Sequence, residues 1–292
     1  MTDVVTTPAP DAAPPRRRSV LRRMRRNPLG LVGLGVLVLA VIAAAGAPLL
    51  APYDPNEVHF DAPFQIPGTI GYALGTDDLG RDLLSRVLFG LQASLQVGVL
   101  AVGVTLLVGV PLGLAAGYVR ALDAVISRLT DLMLAFPFLV LAVGLTAIRG
   151  ASLGNAALAI GISGIPAMIR IVRSETLRLK NLDFVAASVV DGAGDLWVLG
   201  RHILPNALSA IIVQATVTIP VAILGEAVLS FLGLGIQPPD PSLGTMLSEA
   251  QQYAADAPWT AIVPGLAIML VALAFNLFGD ALRDALDPRG PR

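Results

Sequence analysis

The chain has no cysteine and a single lysine in 292 residues, and each scarcity removes a class of chemistry. Without cysteine there is no disulfide, no thiolate metal site and no cysteine nucleophile. The lysine, Lys180, follows Leu179, so the Gly-Lys-Ser/Thr step of a phosphate-binding loop cannot be written anywhere in the chain. Charge is scarce as well. Asp, Glu, Lys and Arg make up 14% of the residues, whereas a soluble domain carries about a quarter. Apolar residues make up 55%. A water-soluble fold of this size would struggle to hide so much apolar surface, and a bilayer is its natural solvent. The expected fold class is therefore all-α, a polytopic membrane protein.

A helix needs about 20 mostly apolar residues to cross the hydrocarbon core. Uncharged stretches near that size run from Leu29 to Tyr53, Val87 to Val119, Leu132 to Ile148, Ala151 to Ile169, Ile203 to Gly225 and Ala257 to Gly279. They predict six transmembrane helices. The second stretch is too long for one crossing, so its first turns are expected on the membrane surface, with the span near Ser94 to Tyr118. The resulting organisation is a tail over residues 1–28, a first span over 29–51 and an external loop over 52–91. A five-helix core follows over 92–283, holding a cytoplasmic loop at 170–206, and then a tail over 284–292.

Basic residues set the orientation. Arg16, Arg17, Arg18, Arg22, Arg23, Arg25 and Arg26 precede the first span, and 17 of the 20 basic residues fall on that same face of a six-span topology. Arg81, Arg86 and Arg149 are left on the other face, among acidic residues. By the positive-inside rule both termini are cytoplasmic. An arginine cluster beside a span orients it, so no nucleic-acid partner is expected. Arg17-Arg18-Ser19-Val20-Leu21 also looks like a twin-arginine export signal, with Ala43-Ala44-Ala45 imitating a cleavage site. The apolar stretch exceeds a signal core of about 7–15 residues, and five more spans follow, which favours a retained anchor. Residues 1 to about 15 have a disordered composition.

The cytoplasmic segment from Arg170 to Asn206 is too long for a turn. Val185 to Val190 forms a small-residue, apolar helical stretch broken by Gly192 and Gly194. Asp195 is placed to cap a second short helix, and Pro205 falls at the first turn of span five, where a missing N–H costs little. The pattern is helix–bend–helix with apolar side chains facing water. Two readings fit it: a docking surface for a protein partner, or an amphipathic segment lying on lipid headgroups.

This segment resembles the signature of permease subunits of binding-protein-dependent ABC importers: Glu-Ala-Ala, three residues, Gly, nine residues, Ile, one residue, Leu-Pro. Ala186, Ala187 and Ser188 stand in the first positions, Gly192 in the glycine position, and His202, Ile203, Leu204 and Pro205 at the end. Ala186 replaces the glutamate, Ser188 the second alanine and His202 the isoleucine. The resemblance implies a type I importer permease whose bend, formed by Ala186 to Ala193 with Val189, Val190 and Asp191, and by Leu196, is the coupling helix seated in a groove of an ATPase. It narrows to the C-type subunit of dipeptide and oligopeptide permeases. Gly75-Thr76-Asp77-Asp78-Leu79-Gly80-Arg81-Asp82-Leu83-Leu84-Ser85-Arg86 looks like that subgroup's external motif, and Glu226-Ala227-Val228-Leu229-Ser230-Phe231-Leu232-Gly233-Leu234-Gly235 its exit from span five. The implied partners are a second homologous permease subunit, two ATP-binding subunits, an external substrate-binding protein and a peptide. ATP and Mg would sit on the partners, with no cofactor or metal on this chain and no enzymatic activity of its own. Glutathione and nickel chelates are further substrates of the subgroup.

Several residues carry two readings. Arg81, Asp82 and Arg86 either contact a docked binding protein or substrate, or pair locally around Gly75 and Gly80. Glu226, with Ser230 and Phe231, lines the translocation path, packs an external gate or reaches the interface. Asp123 and Asp131, near Arg120 and Arg128, make a salt-bridged helix end. Gly109, Gly113 and Gly117 recur at every fourth position of span two and suit close helix packing. Gly161-Ile162-Ser163-Gly164 resembles a rhomboid serine motif, but His59 and His202 lie outside the depth of Ser163 in this topology. A stand-alone secondary transporter lacks support, because no inverted repeat is visible and membrane charges are few.

Overall fold

The computed structural model describes Met24 and residues 27–286. The arginine cluster, the export-signal motif, the polar stretch ahead of them and the last six residues lie outside the described residues. Among the described residues the chain is helical, without named strands. The helices are α1 (Pro28–Ala45), α2 (Ala47–Leu50), α3 (Leu83–Tyr118), α4 (Arg120–Ala135), α5 (Phe138–Arg149), α6 (Leu153–Leu179), α7 (Asp183–Val190), α8 (Asp195–Val198), α9 (Leu204–Phe231), α10 (Leu243–Ala250) and α11 (Trp259–Leu286). A π turn, Leu199–Ile203, joins α8 to α9.

Local chemistry starts these helices where it should. Asn27 accepts from the Gly30 amide ahead of α1, with Pro28 at its first position. Asp82 accepts from the Ser85 amide at the head of α3, and Ser152 from that of Asn155 at the head of α6. Ser242 and Thr245 form a reciprocal capping box on α10.

The direction of each helix follows from its glycine contacts. A Cβ on Gly109 would lie 2.7 Å from that of Met168, one on Gly113 2.6 Å from that of Val172, and one on Gly117 2.4 Å from that of Thr176. Both residue numbers rise together, so α3 and α6 run parallel, at a separation only glycine permits. Two parallel neighbours require the chain to cross back between them, and α4 with α5 make that crossing. They meet at 85° around Pro137. Legs of 16 and 12 residues are about 24 and 18 Å long. At nearly a right angle they separate their far ends by about 30 Å, one hydrocarbon thickness. The chain thus passes six times through the bundle. Gly30 packs on Ala281, and Gly33 on Ala274 and Leu277, so α1 and α11 are antiparallel and both described ends lie together, at the end of Tyr118.

Several expectations need correction. Span three is not one helix over Leu132 to Ile148. Pro137 has no amide to give to Met133 and its ring opposes that carbonyl, so the helix stops at Ala135 and restarts at Phe138. Span two has no separate surface turn. α3 is unbroken over 36 residues, about 54 Å, and the external segment ends at Asp82 instead of Leu91. Its extra turns carry Ser85 and Arg86, and the folded external segment covers them through Tyr53 and Pro55. Span four runs on to Leu179 and span six to Leu286, beyond the apolar limits at Ile169 and Gly279, because amphipathic ends still pack on neighbours.

Candidate functional site: the loop at one end and the charge cluster at the other

Between α6 and α9 the chain folds back on itself by a glycine. Gly192 sits at φ +84°, in the left-handed region. Its amide donates to the Val189 carbonyl and the Ala193 amide to that of Ser188, a Schellman closure of α7 that wants glycine at this position. The loop has an inner and an outer side. Val185, Val198 and Ile203 are buried against Leu179, Met168 and Val172. Ser188 is buried beside them, while Ala186, Ala187, Asp191 and Gly192 are exposed and Ala193 and Leu204 partly covered. Val190 and Leu196 are each 86% exposed, with Val189 and Trp197 about half exposed. Trp197, Phe184 and His202 form an aromatic group, the His202 ring 4.9 Å from Trp197 and 6.0 Å from Phe184. So His202, at the isoleucine position of the signature, still packs through its ring.

Two features of this loop differ from the reading of the sequence. Asp195 does not cap α8: Gly194 is the cap, and the Asp195 carboxylate instead accepts from the Tyr118 hydroxyl at 3.0 Å. Nor does α8 stand apart from span five. Asp195 to Phe231 is one helix of 37 residues, about 55 Å. Pro205 cannot donate to the Arg201 carbonyl, and the π turn just before it accommodates the ring without ending the helix. Pro205 itself is exposed.

At the far end, the external segment packs over the heads of α3 and α11 and the last turn of α10. Arg81 Nε donates to Asp77 at 2.6 Å, and Arg81 and Arg86 each give an Nη2 to the same Glu249 oxygen at 2.9 Å. Arg86 also reaches the Pro55 carbonyl. Both arginines are buried, and so is Asp82, which caps α3 through Ser85. Thr76 is buried and donates to the Ala62 carbonyl. Gly75 at φ +81° and Gly80 at φ +76° make the turns, and a Cβ on either would strike the backbone of Gln65 or His59. Glu249 lies far along the chain in α10, and sequence carries no sign of this pairing.

Glu226 is fully buried, so it does not reach the interface. It accepts from Ser94 of α3 and from Ser230 of α9, each at 2.7 Å. Ser230 in turn accepts from the Ile236 amide. Phe231 is the exposed member of the three residues singled out there, at 38%. Asp123 pairs with Arg173 and Asp131 with Arg170, so the partners come from α6 instead of Arg120 and Arg128. The antiparallel packing of α4 against α6 brings them there, since Asp123 meets Arg173 and Asp131, further along α4, meets the earlier Arg170. Ser163 donates to the Ile160 carbonyl of its own helix. His59 packs among Tyr53 and Tyr72 at one end and His202 lies in the loop at the other, which leaves Ser163 without a base.

A six-pass helical bundle with a folded apolar loop at one end and a charge-clamped segment at the other is that of a polytopic membrane transport protein. Residues 109–290 match the family described as binding-protein-dependent transport system inner membrane component, and residues 16–67 match the N-terminal transmembrane domain of oligopeptide transport permease C. The chain belongs to the binding-protein-dependent transport system inner membrane component family. It is 44% identical to the dipeptide transport system permease protein DppC of Alkalihalophilus pseudofirmus, over 97% of this chain and 96% of that one. It is 48% identical to the DppC of Escherichia coli strain K12, over 91% and 90%. The glutathione transport system permease protein GsiD of Pectobacterium atrosepticum is 44% identical over 93% and 91%. Among solved structures, the fold is similar to the inward-facing MetNI methionine ABC transporter, with a TM-score of 0.58 and 17% identity over 69% of this chain and 96% of that one.

Proposed function

We propose that this chain is the C-type permease subunit of an ATP-driven peptide importer in the bacterial plasma membrane. The observation that carries this reading is the loop between α6 and α9. It presents Val189, Val190, Leu196 and Trp197 to water on a backbone closed by Gly192, at the head of a helix that runs through the bundle to Glu226. Exposed apolar helices of this kind bury against a partner. With Ala186 in the place of a charged residue, docking rests on shape and apolar burial.

The arginine distribution puts this end, and both termini, in the cytoplasm. Two ATP-binding subunits bearing ATP and Mg dock there. A second homologous permease completes the path across the bilayer, and a substrate-binding protein delivers peptide to the external end. This chain hydrolyses nothing. Closure of the ATPases moves the loops and turns the cavity outward, which requires the partners to bind the two states with different affinity. The external cluster of Thr76, Asp77, Arg81, Asp82 and Arg86 shapes the segment that faces the binding protein, and Glu226 with Ser230 packs the outer gate. Dipeptides and oligopeptides are the substrates, by the relatives named dipeptide permeases; glutathione is the second reading, on the similarity to GsiD.

Reconstitution in proteoliposomes with ATPases and binding protein tests this. Hydrolysis should rise when peptide-loaded binding protein is added. No stimulation in any subunit pairing would sink the assignment. Because the chain lacks cysteine, single cysteines at Ile70 and Val190 report orientation directly: a membrane-impermeant maleimide should label the first from outside and the second from inside.

A further inference from the structure

Two hydrogen bonds from the loop converge on the last two residues of α3. Tyr118 gives its hydroxyl to Asp195 Oδ1 at 3.0 Å, and Lys180 gives its ammonium to the Gly117 carbonyl at 2.8 Å. Gly117 is already pressed on Thr176 of α6. Carbonyls in the last turn of a helix lack intrahelical partners, and a lysine there satisfies one and suits the helix dipole. Lys180 is the chain's single lysine and opens the loop; Asp195 begins its second helix.

The Asp195 contact has a longer reach. Asp195 is the first residue of the continuous helix that ends at Phe231. That helix and α3 are the two longest in the chain, and they meet again through Ser94 and Glu226 near the other end. The two rods are therefore joined by a side-chain hydrogen bond near each end, with apolar packing between, as where Gly98 of α3 lies against Ile219 and Ile223. Without the Asp195 tie, the loop end of the long helix is held to α3 by apolar packing alone, which can slide where a directed hydrogen bond cannot. With both ties present, α3 must move too.

We propose that Tyr118 is a positioning residue for ATP-driven switching, its hydroxyl clasping Asp195 so that displacement of the loop moves α3 and the α8–α9 helix together. This rests on the permease reading above. The test uses the full importer in proteoliposomes with its ATPases and binding protein. Tyr118→Phe keeps the ring and removes the hydroxyl. Assembly, basal hydrolysis and the half-stimulating concentration of peptide-loaded binding protein should stay at wild-type values. Peptide taken up per ATP hydrolysed should fall about fivefold, the factor one hydrogen bond carries. Asp195→Ala should show the same loss, the double variant no further loss, and Asp195→Asn, which keeps an acceptor oxygen, close to wild-type uptake. Wild-type uptake per ATP in Tyr118→Phe, or losses that add in the double variant, would overturn the clasp. A wild-type importer without peptide-stimulated hydrolysis would overturn the permease reading itself, so the two failures are distinguishable.

Discussion

Replacing Gly113 with alanine sets a Cβ 2.6 Å from that of Val172, and 3.0 Å from the Ile169 carbonyl and from a Val172 methyl. Val172 is fully buried and cannot turn away. The added methyl forces α3 and α6 apart, and overpacking of this kind costs about 1–3 kcal/mol. Alanine in place of glycine inside a helix returns about 0.5–1 kcal/mol. The net expectation for Gly113→Ala is a loss of up to about 2.5 kcal/mol, centred near 1. Gly103 lies ten residues earlier on the same helix, and a Cβ there meets nothing within 4 Å. Gly103→Ala should keep the propensity gain alone and stabilise by roughly half a kcal/mol. The pair differs in neighbours, with chemistry and helix held constant. Purified protein in detergent, heated in steps and passed over a sizing column, reports the surviving monodisperse fraction. Gly113→Ala should lose half that fraction at a lower temperature than wild type, and Gly103→Ala at the same or a higher one. If both variants shift in the same direction, close approach of α3 and α6 is not what these glycines secure.

The remaining predictions concern the two ends of the bundle. Gly192→Trp places a side chain at φ +84° and in the middle of the exposed loop surface, so membrane insertion should be normal while co-purification with the ATPases or stimulated hydrolysis is lost; wild-type hydrolysis and uptake would contradict the coupling role. Glu226→Ala leaves Ser94 and Ser230 without their shared acceptor in a closed site, a loss of about 2–4 kcal/mol in the heating assay, and Glu226→Gln should lose distinctly less. Arg86→Ala strips Glu249 and Asp77 of a buried counter-charge at a cost of about 3 kcal/mol. Chymotrypsin should then cut the external segment at Phe60, Phe64 or Tyr72 faster than in wild type; equal rates would show that the segment is held by other contacts.

The loop and the external motif were legible to different depths. Gly192 marked the bend, because only a residue free of Cβ strain ends α7 in this way, and the apolar run ahead of it marked the surface. What Asp195 does was not legible. A carboxylate after Gly194 looks like a cap, and its real partner, Tyr118, is 77 positions away. Likewise Arg81 and Arg86 read as a local cluster, yet both converge on Glu249, more than 160 positions on.

Sequence alone determined the solvent, the apolar segments that cross it and the place of the loop between the fourth and the fifth, since these follow from quantities summed along the chain: apolar length and glycine spacing. Hydrophobic burial acts on segments, so a segment's composition suffices to read it. Tertiary structure decided how span three crosses, because a proline stops a helix locally but only neighbours α3 and α6, lying parallel, make the broken pair a complete crossing. It also decided that span five begins at Asp195, and which serines meet Glu226. Hydrogen bonds depend on ångström distances between residues brought together by packing, and those distances exist only once the bundle has closed.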